Sequence, residues 1–230
     1  MTESKKRELI IKRIKQQGNQ IRSFDMATVD EEPLGFKAGQ VAVLAVGDSK
    51  PGYFALASAP DDKDAEFLIK QNEGLSAIIY EMKEGDHVTL LDIVGNGFPL
   101  EQQRGKDLVF VAMGTGVAPL RSALRQVLKH KNEYGKLVVL YGARTPQFFC
   151  YSEEAERWED SGVELRRVVS RPDGHDWSGS TGYVQSLLDH VLPNLKFPVA
   201  LVCGSREMIE QTTDRLLKMG FAPESILTNY

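Results

Sequence analysis

The sequence predicts a fold of class α/β and β, an N-terminal antiparallel β-barrel followed by a C-terminal parallel-sheet α/β domain. Three observations carry this expectation. Before residue 100 the apolar runs are short, β-prone and broken by Gly, Pro and Asp clusters, as in small barrels and sandwiches. From Asp107 onward strand-like runs alternate with segments of helical periodicity, which predicts a parallel sheet with helical cover. Between them lies the polar link "LEQQRGKD", residues 100–107, so the expected domains are 1–103 and 104–230.

The first half reads as strands at "ELIIKRIKQQ", "QVAVLAVG", "YFALASAP", "AEFLIKQN" and "DHVTLLDIVG", with one helix at "GLSAIIYEM", Gly74–Met82. The second half reads as four strand–helix pairs. "DLVFVAMG" precedes the helical "APLRSALRQVLKHK", and "KLVVLYGAR" precedes "SEEAERWEDSG". "VELRRVVSR" precedes "YVQSLLDHVL", and "FPVALVCGS" precedes "REMIEQTTDRLLKMG". Ligands of such sheets sit at the carboxyl ends of the strands. Those ends carry "GTGVAP", "GART", "SRP" and "CGS".

Composition narrows the function classes. The 230 residues include 28 Lys+Arg and 32 Asp+Glu, a net charge of -4, which argues against a nucleic-acid partner. No apolar run is long enough to span a bilayer. The N-terminus has no signal-peptide core, so the expected location is cytoplasmic, or a soluble organelle interior after removal of a presequence. Cys150 and Cys203 cannot supply the four thiolates of an ordinary [2Fe–2S] cluster. The four histidines are scattered, and no metal site is expected.

The stretch "VAMGTGVAPLRSAL", Val111–Leu124, leaves a buried strand through Gly114, Thr115 and Gly116 and enters a helix with Pro119 in its first turn. Glycine permits positive φ and close approach of a ligand to the backbone, and a helix start favours an anion. The stretch reads as a phosphate-cradling turn or as an ordinary tight strand-to-helix turn; its neighbours decide.

Taken in order, the motifs resemble the ferredoxin–NADP reductase superfamily over nearly the whole chain. "FKAGQ", "YFALAS", "EGLS", "GNGFPL", "GTGVAPLRS", "LYGAR", "SRP", "WSGSTGYV" and "CGSREM" follow in family order. Members such as the electron-transfer subunit of dihydroorotate dehydrogenase and the sulfhydrogenase reductase subunit share this pattern; this chain lacks their cluster cysteines. The resemblance implies FAD and NADPH, or NADH, as cofactors. FAD would meet Tyr53, Phe54, Ala55, Leu56, Ala57, Ser58, Lys70, Gly74, Leu75 and Ser76. The dinucleotide would meet Gly114, Thr115, Gly116, Val117, Pro119, Arg144, Ser170, Arg171, Cys203, Gly204 and Met208. Arg144 and Arg171 read alternatively as solvated charges, and Cys203 as a small packed residue. The resemblance puts Cys203 beside the nicotinamide and Tyr230 on the flavin ring, while a frayed terminal tyrosine is the other reading. Ser170 with Arg171, and no acidic residue after the second strand, favours NADPH.

The flavin motif departs from the family. Gly52 stands where the pyrophosphate arginine is expected, Phe54 replaces the stacking tyrosine, and Ala55 replaces the hydroxyl residue near flavin N5. Tyr53 could serve if the strand is bulged. Losing a charge-assisted hydrogen bond of about 1.5–3 kcal/mol weakens flavin binding by roughly ten- to a hundredfold. The expected function is an FAD-dependent NAD(P)H oxidoreductase whose acceptor is a redox partner protein or a small oxidant. The alternative is a catalytically weak flavin- or nucleotide-binding regulatory protein, or an accessory subunit of a redox complex.

Overall fold

The computed structural model describes residues 6–172, 174 and 176–229. Residues 7–94 build a six-stranded antiparallel sheet. In chain order its strands are β1 (Arg7–Gly18), β2 (Ile21–Thr28), β3 (Val41–Ala45), β4 (Gly52–Ala55), β5 (Ala65–Lys70) and β6 (His87–Val94). Their spatial order is β4-β3-β6-β1-β2-β5, and a bridge between Leu56 and Phe67 joins the two outer strands. The sheet therefore curls on itself around Phe24, Phe67, Leu9, Ile11, Leu44 and Ile79. Helix α1 (Leu75–Glu81) packs on β5, with Leu75, Ile79 and Tyr80 buried.

β2 carries no strand signal in the sequence. Its buried positions include Ser23 and Thr28 beside Ile21, Phe24 and Met26, so polarity masks the pattern. It forms because β1 and β5 flank it on both edges, β5 in unbroken one-to-one register and β1 with two register shifts.

The second sheet is parallel, ordered β10-β9-β8-β7-β11-β12. Its strands are β7 (Leu108–Met113), β8 (Leu137–Ala143), β9 (Val163–Val169), β10 (Ser180–Thr181), β11 (Val199–Cys203) and β12 (Ile226–Thr228). β7, β8 and β11 are almost continuously apolar because both faces are covered. The cover comes from α2 (Val117–Lys129), α3 (Ser152–Asp160), α4 (Leu188–Val191) and α5 (Arg206–Lys218). The helix expected over "YVQSLLDHVL" is broken into 3-10 turns around the four residues of α4, and Pro193 ends it.

One face of α2 carries ion pairs to the first sheet and its loops, beside a shared apolar cluster and the Asn19–Gln147 and Gln17–Tyr151 hydrogen bonds. Arg121, Arg125 and Lys129, four residues apart, reach across to Glu66, Asp62 and Asp61. The outer two pairs are partly exposed, but Arg121 is only 4% exposed. Its Nη1 donates to the Ala57 carbonyl at 2.7 Å and to Glu66 at 2.8 Å. Its other edge grips Glu154 of α3 with two hydrogen bonds, and its plane lies 4.2 Å from the centre of the Tyr151 ring. Burial pushes the Glu66 carboxyl up despite the Arg121 charge. At Glu154 burial also pushes upward, but the hydrogen bond and charge of Arg121 outweigh it and hold the carboxyl below its ordinary range.

These opposite shifts separate the two carboxylates. Glu154 contributes stability above the ordinary carboxylate range and loses it on acidification, whereas Glu66 loses stability as it ionises with rising pH. Thermal melts at pH 7 are expected to show Glu154→Gln destabilised by roughly 3 kcal/mol. Glu66→Gln is expected to cost less than half of that, and the Glu154→Gln penalty to shrink at pH 4.

Candidate active site

The carboxyl ends of β7, β8, β9 and β11 open into a cleft of about 750 Å³. Its floor is the turn Gly114–Gly116, one 3-10 turn that leads directly into α2. Gly114 has φ 57°. Gly116 is required for another reason: a Cβ there would lie 2.4 Å from the Cys203 carbonyl oxygen and 2.7 Å from its carbon. Backbone cannot yield as a side-chain tip can, so the start of α2 sits against the end of β11 only with glycine at 116. Val117 and Pro119 are buried in the first turn of α2. No side chain caps the start of that helix.

Arg144, Ser170 and Arg171 line another part of the same cleft, where β8 and β9 end. The Arg171 amide donates to the Arg144 carbonyl at 2.8 Å, which sets the two residues side by side. Both arginines are exposed and neither has a carboxylate partner among the described residues. Gly204 and Met208 complete that wall. Cys203 is 7% exposed and burial pushes its thiol up to about 12, so it is a neutral packed thiol rather than a nucleophile. Cys150 is likewise buried, and its thiol is raised to about 11.

Sequence reasoning missed much of the opposite wall. Lys70, expected on the flavin side, lines this cleft with Asn72 and Ile21, so the first sheet forms one side of it. The Lys70 ammonium lies 5.6 Å from the centre of the Phe148 ring. Tyr183, 68% exposed in the Gly-rich "WSGSTGYV", also lines the cleft, as do Gln185, Glu207 and Gln211. An aromatic residue beside Gly182 was the one available signal, and it carries no meaning without the fold.

The expected flavin residues divide into two groups. β4 pairs one-to-one with β3 from Val41–Ala55 to Leu44–Gly52, so there is no bulge and Tyr53 faces away from Phe54. Tyr53 is 72% exposed. Phe54 and Ala55 are half-buried. The Phe54 ring lies over Gly52, where an added Cβ would come within 2.9 Å of it, and beside Leu75. Glycine at 52 and this ring position therefore go together, and a larger residue would turn the ring out. Leu56, Ala57 and Ser58 have their side chains in the interior, and the Ser58 hydroxyl accepts from the Glu66 amide. Gly74, φ 67°, begins α1 with no side-chain cap and open space around it, and the Ser76 hydroxyl donates to the Glu73 carbonyl. Tyr230 lies outside the described residues.

Residues 110–214 match the family model described as an oxidoreductase NAD-binding domain. Among solved structures, a ferredoxin NADP+ reductase from Neisseria gonorrhoeae with bound FAD and NADP superposes with a TM-score of 0.81 at 21% identity, covering 99% of this chain and 98% of that one. The chain has the ferredoxin–NADP reductase-like fold. Sulfhydrogenase 1 subunit gamma of Pyrococcus furiosus is 28% identical over 85% of this chain, and ferredoxin–NADP reductase B of Sorangium cellulosum 29% over 82%. Fruit protein pKIWI502 of Actinidia deliciosa is 32% identical over 77% of this chain. The chain spans 68% of the Pyrococcus relative, 82% of the Sorangium one and 59% of the kiwifruit one.

The contact at Gly116 gives a direct test. Gly116→Ala is expected to weaken NADP+ binding tenfold or more, read by calorimetric titration, while FAD binding stays within threefold of the parent.

Proposed function

We propose that this chain is an FAD-dependent NAD(P)H oxidoreductase that passes electrons from NADPH to a redox partner. The observation that carries the reading is the cleft itself: a glycine-flanked turn at a helix start, with a serine and two arginines on the adjoining strand ends, neither arginine having a carboxylate partner among the described residues. The Gly114–Gly116 amides would hold the pyrophosphate. Arg144, Ser170 and Arg171 would take the adenosine end, and an arginine fork suits a 2′-phosphate. Lys70 would close on the dinucleotide from the first sheet.

The residues on β4 and α1 fit a flavin in part. The ring of Phe54 and the open helix start at Gly74 and Leu75 are present, whereas Tyr53 faces away from Phe54 and β4 carries no guanidinium. When bound, FAD supplies the two-electron acceptor for the hydride of NAD(P)H and the donor for the oxidant that follows. Cys203 would pack near the nicotinamide as an uncharged wall. The gamma-subunit relatives support a protein acceptor. No helix among the described residues is long and apolar enough to cross a membrane. The two free, buried thiols suit a reducing compartment.

One observation favours a second reading, a binding or accessory protein that turns over poorly: the Phe54 ring occupies the ground above Gly52 where a phosphate-binding side chain would rise. An anaerobic titration of the FAD-loaded protein separates the two. NADPH is expected to bleach the flavin band at least tenfold more efficiently than NADH, and Arg171→Ala to remove most of that preference. A flavin band that neither donor bleaches would favour the second reading.

A further inference from the structure

We propose that Arg121 is a positioning residue for hydride transfer, holding the flavin-side strand at a fixed distance from the nucleotide turn. This rests on the reductase reading above, which puts the flavin beside Phe54 and Ala55 and the dinucleotide on Gly114–Gly116.

Arg121 lies about one helical turn beyond Val117, so its backbone is rigidly tied to the glycine turn. Its guanidinium donates to the carbonyl of Ala57, two residues beyond Ala55. Ala57 is fixed on its other side as well, since its amide donates to the Glu66 carbonyl and the Glu66 amide donates to Ser58. Glu66 in turn accepts from Arg121. A chain of hydrogen bonds thus runs from the nucleotide helix to the end of the β4 segment through one side chain.

Filling space does not require this arrangement. A buried ion cluster gains little or nothing over well-packed apolar residues of the same volume. Apolar side chains in place of Arg121, Glu66 and Glu154 together would occupy the site without desolvating a charge or two carboxylates. What the arginine adds is direction: a forked group gripping Glu154 at one edge and Ala57 at the other defines a position, whereas apolar contacts slide. A misplacement of about 1 Å between reacting groups costs on the order of a hundredfold in rate. Arg121 touches neither cofactor, and its effect passes through Ala57.

The test compares Arg121→Met and Arg121→Lys with the parent. Dissociation constants for FAD and NADP+ are measured by titration. Hydrogen exchange over residues 53–58 is followed in the cofactor-free chain, and single-turnover bleaching of bound FAD is followed at saturating NADPH. In Arg121→Met both dissociation constants are expected within threefold of the parent, exchange over 53–58 at least tenfold faster, and bleaching ten- to a hundredfold slower. Arg121→Lys, which keeps the charge and loses the fork, is expected between the two, and it carries the test where Arg121→Met does not fold. Bleaching unchanged in both variants, or slowed only in step with lost FAD or NADP+ affinity, overturns the proposal while leaving the reductase reading intact. A parent protein that binds FAD yet is not bleached by NADPH overturns that reading, and this proposal with it.

Discussion

The guanidinium of Arg121 is the contact on which the arrangement of the two sheets turns. It is held by two carboxylates, a carbonyl and an aromatic ring, with almost no access to water. Such a cluster is strong only when complete, because the low dielectric that strengthens each hydrogen bond also makes any lost partner expensive. Arg125–Asp62 and Lys129–Asp61 extend the same helix face toward solvent, where screening leaves each worth a fraction of a kcal/mol to about 1 kcal/mol. The helix that begins at the Gly114–Gly116 turn is therefore also the helix that carries these pairs to the first sheet.

At its other end the same helix is limited by Gly116. The approach of the turn to the Cys203 carbonyl brings the ends of β7 and β11 together, and the turn itself lines the cleft. The cleft then has two unlike walls: arginines and glycines from the second sheet, and Lys70 with Asn72 from the first. The relative placement of those walls depends on Arg121, which is why a single buried side chain matters to a site it does not touch.

The second half of the fold was legible because its signals are strong. β7, β8 and β11 are uninterrupted apolar runs, and α2 and α5 have clear helical spacing. Two short edge strands, β10 and β12, were not legible, since two or three residues carry no periodicity. The cleft residues Gly114, Thr115, Gly116, Arg144, Ser170 and Arg171 could be named from motif order, while Tyr183 and the cross-cleft role of Lys70 depend on how the sheets meet. The row Arg121, Arg125, Lys129 stood in the sequence at a spacing of four and reads as a solvated face until its acidic partners are placed. At β4 the sequence showed what was missing, namely the arginine at Gly52, but not that the Phe54 ring fills the space above that glycine.

Whether β4 and α1 hold FAD without that arginine is the claim on which the account stands. The direct measurement is an equilibrium titration of cofactor-free protein with FAD, followed by quenching of flavin fluorescence. The expected result is one FAD per chain with a dissociation constant near or below about 10 µM, an affinity of roughly 7 kcal/mol. Absence of saturable binding up to several hundred micromolar would contradict it, and would leave a nucleotide-binding chain on a reductase-like fold.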